Sequence, residues 1–239
     1  GSDNIKNQTK LNIKDIICKQ IKNSFAKKFI KEHHYTKSCA KATISYGFYI
    51  KDKLCGVIIY GQPSNYSLAK SLWEGGNEQE CLELLRMYTY DWCPPNTESY
   101  CISQSIKHLK KDMPEIQLLV SYADCSAGHI GYIYQASNWQ YIGESSKEKK
   151  IFIDGKRQHR RNLYDIYGTS SLKKLKEMLG DRIKVSKNKI GKHRYIYIIR
   201  HNNKQYKDIK SKIKVKIQPY PKGNISYYDS DGGKYNKIT

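Results

Sequence analysis

The sequence predicts an α/β fold in which helices cover both faces of a mixed central sheet. Segments with helical spacing of apolar residues alternate with short apolar runs that are typical of buried strands. The chain has 239 residues, enough for one large domain with an appendage. No apolar run approaches the length needed to cross a bilayer, so we expect no membrane association.

The first third of the chain predicts a helix, a β-hairpin and a loop. Apolar residues recur at helical spacing over 13–33, which indicates one amphipathic helix. Residues 41–50 and 54–61 are strand-like, and the polar residues 51–53 between them predict a hairpin turn. Residues 62–79 are mostly polar and contain Gly75-Gly76, so we expect a loop there.

The middle of the chain predicts a strand–helix–strand crossover followed by a second helix and strand. Residues 81–90 form the first strand, which Pro94-Pro95 end, and Asn96 is the expected N-cap of a helix reaching about residue 110. Residues 117–124 form the next strand, parallel to the first through a right-handed crossover. A helix over 128–137 and a strand over 139–145 follow.

The last third changes in character. Residues 149–161 predict a basic hairpin turning at Asp154-Gly155, and residues 170–180 predict a short helix closed by Gly180. Residues 192–200 form a final strand. Periodicity is weak from 201 onward, where Lys, Asn, Asp and Gly dominate, so we expect a loosely ordered tail.

The charge is concentrated at one end of the chain. The net charge is +21, but residues 1–146 hold 17 Lys/Arg against 14 Asp/Glu, whereas residues 147–239 hold 26 against 8. This asymmetry indicates a polyanionic partner such as nucleic acid. The seven cysteines are scattered without a Cys-x-x-Cys pair, which predicts reduced thiols rather than a zinc site or a disulfide framework.

Three polar side chains stand where a catalytic site would need them. Arg86 lies in an apolar strand, so it either pairs with Glu83, Asp124 or Glu98, or faces a cleft and stabilises a developing oxyanion. Asp124 ends a strand, where it either caps the next helix or accepts a proton or a hydrogen bond from the amino group of the substrate. Ser99 is either an ordinary first-turn residue or a residue that donates a hydrogen bond to the group donor.

Several short motifs carry a resemblance to a known family. The chain contains, in order, His34-Tyr35, Leu85-Arg86, residues 95–99, residues 121–124, Gly128-His129-x-Gly131, Tyr134-Gln135-Ala136 and residues 192–195. Together they resemble the phage Mom family of DNA-modification proteins, within the GNAT acyltransferase superfamily, over about residues 25–200. That superfamily also has a tyrosine four residues before a Gly-aromatic step, which Tyr134 and Asn138-Trp139 resemble with Asn in place of Gly.

The resemblance implies a fold and an activity. It implies a GNAT-like catalytic domain over 1–200, with 144–193 as a basic insertion before the last strand and 201–239 as a basic tail. The family modifies the exocyclic N6 of adenine in DNA with a carbamoylmethyl group, which blocks host restriction enzymes. The expected partner is therefore double-stranded DNA with the adenine flipped out, in the cytoplasm of a bacterial host.

The resemblance and the charge pattern together assign the site residues. The catalytic set is Arg86, Asp124, Tyr134 and Ser99, with Tyr134 protonating the leaving group. The substrate-binding set is His34, Tyr35, Ser121 and His129, with Tyr35 stacking on the flipped base. The nucleic-acid-binding set is Lys149, Lys150, Lys156, Arg157, Arg160, Arg161, Lys192 and Arg194. The paired histidines lack a carboxylate at ligand spacing, so we expect no metal site.

The group donor stays open between two classes. GNAT enzymes hold the diphosphate of coenzyme A on a glycine-rich turn, but here Pro94 and Pro95 lack N–H groups and Glu98 would repel an anion. The donor is therefore either glycyl-tRNA, with tRNA as a second partner, or an acyl-CoA. Two other functions fit the same residues: a GNAT-type acyltransferase acting on a small molecule or RNA, and a non-catalytic nucleic-acid-binding protein.

Overall fold

Strands form two sheets in the residues that the computed structural model describes, which are 10–33, 41–124, 129–145 and 148–223. The strands are β1 (Ile17–Ile21), β2 (Ala42–Ile50), β3 (Lys53–Gly61), β4 (Cys81–Thr89), β5 (Leu118–Asp124), β6 (Gln140–Glu144), β7 (Glu148–Ile153), β8 (Lys156–Gln158), β9 (Ile183–Ile190) and β10 (Lys192–Ile198). The larger sheet has the order β1-β2-β3-β4-β5-β10-β6, and the smaller has the order β8-β7-β9. The predicted mixed α/β architecture is confirmed.

The N-terminal helix is shorter than the sequence predicted. Residues 17–21 are strand β1, which pairs antiparallel with β2 from Ile17 opposite Tyr49 to Ile21 opposite Ser45. Only the second half of the predicted helix is helical, as α1 (Asn23–His33). The isoleucine spacing suits a helix, but the hydrogen bonds offered by the edge of β2 extend residues 17–21 instead.

The hairpin and the loop after it are described in full. Strands β2 and β3 pair antiparallel as predicted, and both turn residues, Lys51 and Asp52, have left-handed φ angles of 48° and 64°. Such angles characterise the tight turns that match strand twist. The predicted loop 62–79 also contains a short helix, α2 (Leu68–Leu72), whose Leu68 and Leu72 are buried.

The parallel crossover is confirmed and opens a gap in the sheet. Strands β4 and β5 pair in parallel from Cys81 opposite Leu118 to Glu83 opposite Val120. Both strands continue further, yet in the described residues they pair with each other over this stretch alone. β4 also carries a bulge, because Tyr60 of β3 faces Leu84 and Ile59 faces Arg86. A bulge re-aims side chains and marks many active sites.

Helices cover both faces of the large sheet. On one face, α3 (Thr97–Asp112) and α4 (Tyr132–Ala136) pack on a core that includes Tyr60 and Leu82. On the other face, Phe29 and Ile30 of α1 pack on alternate residues of β3, such as Ile59. Successive strand residues point to opposite faces, so this separation follows from the alternation of apolar residues.

The basic insertion folds around a core of its own. The small sheet packs with α5 (Arg160–Tyr167) and α6 (Leu172–Leu179), of which the sequence predicted only α6. We name residues 148–190 the basic module. Its buried residues are Ile151, Ile153, Leu163, Leu175, Leu179 and Ile183. The hairpin at Asp154-Gly155 is confirmed, whereas β9 was not predicted because lysines mask its alternation.

The segment after the last strand is more ordered than the sequence predicted. Residues 203–212 form helix α7 (Asn203–Lys212), which the Asn202 side chain caps and whose Ile209 is buried. The chain then bridges back to the sheet through Ile213 at Trp73 and Gln218 at Tyr141. The few apolar residues here suffice because the sheet faces them. No helix among the described residues is long and apolar enough to span a bilayer.

Candidate active site

The candidate site lies where β4 and β5 part, and we call this gap the β4–β5 cleft. Pairing ends at Glu83 and Val120, so the next residues of each strand line a gap rather than a ladder. Glu83 and Arg86 lie on the β4 side, and Ser121 and Asp124 lie on the β5 side. Ligands bind in such openings at the carboxyl ends of parallel strands.

Helix α4 brings Tyr134 over the β5 side of the cleft. Gly131 precedes the helix with φ of +78°, and a Cβ there would lie 2.3 Å from the Tyr195 ring, so only glycine permits this approach. Tyr134 is 5% exposed, and its hydroxyl accepts a 2.7 Å hydrogen bond from Ser121 Oγ. Burial raises the pKa of Tyr134 to about 12, so it keeps its proton at neutral pH.

Asn138, which follows α4, adopts a backbone angle that is typical of glycine. Its φ is 65°, in the left-handed region that Asn tolerates better than most residues. The turn it makes lets Trp139 fold back, with its ring centroid 5.1 Å from that of Tyr134. This turn therefore helps to fix the position of the Tyr134 ring.

Glu83 is a candidate that the sequence did not single out. It appeared only as a possible partner of Arg86, yet burial raises its pKa to about 7, while Lys192 and Arg86 lower it by smaller amounts. A carboxyl group with a pKa near 7 can exchange protons at neutral pH. In the sequence, this candidate could have been recognised as a glutamate within an apolar strand, three residues before an arginine.

Arg86 lies beside Glu83 and follows the bulge. Its Nη1 donates a 2.6 Å hydrogen bond to the carbonyl of Leu85, the extra residue of the bulge. The guanidinium also lowers the pKa of Glu83, as a nearby positive charge must. Of the three predicted salt-bridge partners, Glu83 is therefore the one that Arg86 influences, whereas Asp124 pairs elsewhere.

Asp124 is held by the basic module. Lys150 Nζ lies 3.6 Å and Arg157 Nη1 lies 3.8 Å from its Oδ2 atom. The side chain of Lys150 is 14% exposed and that of Asp124 is 24% exposed, so this contact is partly shielded from water. His129 is close by, because the Asp124 charge opposes the lowering of its pKa by burial. The helix that Asp124 was predicted to cap is α4, which begins at Tyr132 with Gly131 at its N-cap position, so Asp124 does not cap it.

The predicted nucleic-acid residues of the module divide into two groups. Lys149, Lys156 and Arg160 are exposed, as a phosphate contact requires. Lys150 faces Asp124 instead of solvent. The side chain of Arg161 lies outside the described residues.

Lys192 and Arg194 belong to β10 rather than to the module surface. Lys192 faces Asp124 in the β5–β10 register, and its charge lowers the pKa of Glu83. Arg194 donates hydrogen bonds to the carbonyls of Ile142 and Gly143, at 3.1 and 3.4 Å. Both cations therefore serve the cleft and its walls.

The start of α3 does not fit a coenzyme A diphosphate. Pro94 and Pro95 supply no N–H groups, and the Glu98 carboxylate accepts a 2.9 Å hydrogen bond from Thr89 in the first turn. Asn96 occupies the predicted N-cap position with φ of 67°, but its side chain makes no capping hydrogen bond. Ser99 Oγ donates to the Asn96 carbonyl at 3.2 Å, a local first-turn contact.

Two further predictions concern the residues His34 and Tyr35 and the possibility of a metal site. His34 and Tyr35 are outside the described residues. Within those that are described, no group of three or more His, Cys, Asp or Glu side chains could hold a metal ion.

Among solved structures, the chain is similar to N-acetyltransferases at low sequence identity. A spermidine N-acetyltransferase from Vibrio cholerae covers 81% of this chain and 98% of its own, with 6% identity and a TM-score of 0.44. An N-acetyltransferase from Staphylococcus aureus Mu50 covers 77% and 97%, with 10% identity and a TM-score of 0.40.

A sequence relative covers most of the chain. Methylcarbamoylase mom of Escherichia phage Mu is 28% identical over 214 residues, which are 87% of this chain and 85% of that protein. The model of the Mom protein family matches residues 15–222, a range that includes β1, the basic module and α7. The chain belongs to the Mom protein family.

Proposed function

We propose that this protein is a transferase that modifies the exocyclic N6 of adenine in DNA with a carbamoylmethyl group. The observation that carries the proposal is the cluster of Glu83, Arg86, Ser121 and Tyr134 at the β4–β5 cleft. Membership of the Mom protein family and the relative named methylcarbamoylase support the same chemistry. The exposed cations of the basic module supply a surface for the DNA backbone.

Glu83 is the proton acceptor in this proposal. The adenine amine is delocalised into the ring and is a weak nucleophile, so it needs a base when it attacks. Glu83 has a pKa of about 7, which gives it a deprotonated fraction and useful basicity at neutral pH. The strand partner of Glu83 is Val120, and Asp124 lies four residues further along β5, a distance of about 13 Å. We therefore assign to Asp124 the orientation of the nucleotide at the cleft mouth.

Arg86 and Tyr134 stabilise the negative charge that develops on two oxygen atoms during transfer. A carbonyl under attack becomes an oxyanion, which the Arg86 guanidinium stabilises from a partly buried position. The leaving oxygen needs a proton, which Tyr134 holds. Its pKa of about 12 keeps that proton in place at neutral pH, and the Ser121 hydroxyl at 2.7 Å orients the phenol.

An activated glycyl ester, such as glycyl-tRNA, is the donor class that suits this cleft. Pro94 and Pro95, just before α3, supply no N–H groups to a diphosphate, and Glu98 adds a negative charge in the first turn. In the first step N6 attacks the ester carbonyl, and the ester alcohol leaves with a proton. In the second step the glycyl amine attacks ring C6 and displaces the amide nitrogen. The original N6 becomes the carboxamide nitrogen, so the second step is an isomerisation that yields the carbamoylmethyl group.

Mass spectrometry of nucleosides tests the proposal directly. DNA isolated from a bacterium that expresses the protein should contain deoxyadenosine heavier by one carbamoylmethyl group. Cells expressing the Tyr134→Phe variant, which keeps the ring but cannot donate a proton, should contain unmodified DNA. Unmodified DNA in the presence of folded wild-type protein would contradict the proposed function.

The DNA surface can be tested separately from the chemistry. Lys149, Lys156 and Arg160 are replaced by alanine in this test. If each contacts one phosphate of duplex DNA, the slope of the logarithm of the binding constant against log salt concentration should become less negative by roughly 2.7. These residues are exposed, whereas Arg157 is left intact because it pairs with Asp124. Modification should recover at high DNA concentration.

Helix α7 supplies the matched control for that experiment. Lys204, Lys207 and Lys210 are also exposed lysines, but they lie outside the basic module. Their replacement by alanine should leave the salt slope unchanged. Equal effects of the two triple variants would mean that the module has no special part in DNA binding.

A further inference from the structure

Helix α5 presents an aromatic side chain to solvent beside the cations of the basic module. Tyr164 is 64% exposed, although a tyrosine of a small helix normally packs inward. The buried side of α5 is formed by Leu163, with Tyr167 partly buried next to it. Arg160 lies one turn before Tyr164, so the two side chains share one edge of the helix.

The helix is tied to the mouth of the cleft. Strand β8 leads into α5 through a single residue, and Arg157 of β8 contacts Asp124 at 3.8 Å. Three extended residues and one helical turn separate Arg157 from Tyr164, a backbone path of at most about 16 Å. Tyr164 and Arg157 therefore lie close enough to contact the same short stretch of duplex.

Exposed aromatic groups among cations fit a nucleic acid better than a protein surface. Cations hold the backbone, while an aromatic ring stacks on bases of any sequence. An enzyme that extracts a base from a duplex also leaves a gap in the base stack. Side chains inserted between base steps are a recurrent means of unstacking a duplex.

We propose that Tyr164 enters the duplex at the position that the flipped adenine leaves, with Arg160 on an adjacent phosphate. The choice of duplex DNA rests on the proposed function, while the placement of the ring rests on its exposure and its neighbours. The partner is a duplex that must be locally unstacked. Single-stranded DNA needs no such help.

The test uses short duplexes in which 2-aminopurine replaces one adenine, since its fluorescence rises when it leaves the stack. Wild-type protein should raise the fluorescence. In Tyr164→Ala the equilibrium constant between the flipped and the stacked base should fall roughly tenfold, as expected for one lost stacking contact. Modification of duplex DNA should fall by a similar factor. Modification of the same single strand should stay at the wild-type rate, and Tyr164→Trp should retain the duplex activity.

Ile166 provides a control on the same helix. It is 63% exposed, but its two-residue offset places it on the other flank of α5. Ile166→Ala should behave as wild type. An unchanged ratio of duplex to single-strand activity in Tyr164→Ala would overturn the inference, as would an equal loss in Ile166→Ala. Wild-type protein that flips 2-aminopurine but leaves DNA unmodified would instead contradict the proposed function alone.

Discussion

Replacing Glu83 with glutamine should abolish modification and, above neutral pH, make the protein more stable. The variant keeps the shape of the side chain but cannot accept a proton from the adenine amine. In the wild type, modification should rise with pH and reach half of its maximum near 7, because the carboxylate form is the active one. A pH profile of single-turnover modification measures both effects.

The stability effect has a defined sign and pH window. Burial raises the pKa of Glu83 from 4.5 to about 7, so the folded protein binds more protons than the unfolded chain between these values. Folding stability therefore declines as pH rises through this window, and the penalty is complete above it. Glutamine has no such penalty. The unfolding free energy of Glu83→Gln, relative to that of the wild type, should therefore increase by roughly 1–3 kcal/mol between pH 4.5 and pH 8.

Denaturant unfolding at several pH values checks this prediction. The control is Glu80→Gln, which removes a carboxylate from the turn before β4 rather than from the cleft. The difference in unfolding free energy between Glu80→Gln and the wild type should vary much less with pH. A Glu83→Gln variant that retains full activity would exclude the role of Glu83 as base.

Replacing Arg86 with alanine should lower the modification rate by about two to three orders of magnitude, the usual cost of losing one oxyanion donor. The lost guanidinium also lowers the pKa of Glu83 in the wild type, so its removal should move the pH profile of the variant to higher pH. Modification rates across pH, together with thermal unfolding, measure these effects.

Arg86→Lys separates charge from geometry. Lysine keeps the positive charge beside Glu83 but not the planar set of donors, so it should restore the pH profile more fully than the rate. Both variants should unfold near the wild-type temperature. A variant that is largely unfolded at room temperature would instead show that Arg86 is a structural residue of the bulge.

The elements that the sequence predicted well are those whose periodicity agrees with their tertiary surroundings. The hairpin of β2 and β3, the crossover through α3 and the strand β5 all belong to this group. Strand β1 was misread because Ile13, Ile17 and Ile21 also have helical spacing, and only the edge of β2 decides between the two. Helix α7 was missed because lysines surround its single buried residue, Ile209.

The candidate site was predictable in its chemistry but not in its contacts. Arg86, Ser121 and Tyr134 follow from motif and position, and the structure places Ser121 against Tyr134. Glu83 was not predicted because its burial, which raises its pKa, depends on the tertiary structure around β4 and not on its local sequence. No sequence pattern reveals that Lys150 turns inward, since the lysine beside it in the chain is exposed.

Asp124 contacts Lys150 and Arg157, so its carboxylate competes with any other anion for these two cations. Any phosphate that approaches these two cations must displace a negative charge that belongs to the protein itself. Random stretches of DNA therefore gain less from the module than its charge alone would provide. Under the proposed function, this internal competition weakens the binding of the module to DNA of any sequence, so that recognition depends more on the cleft than on the surface charge.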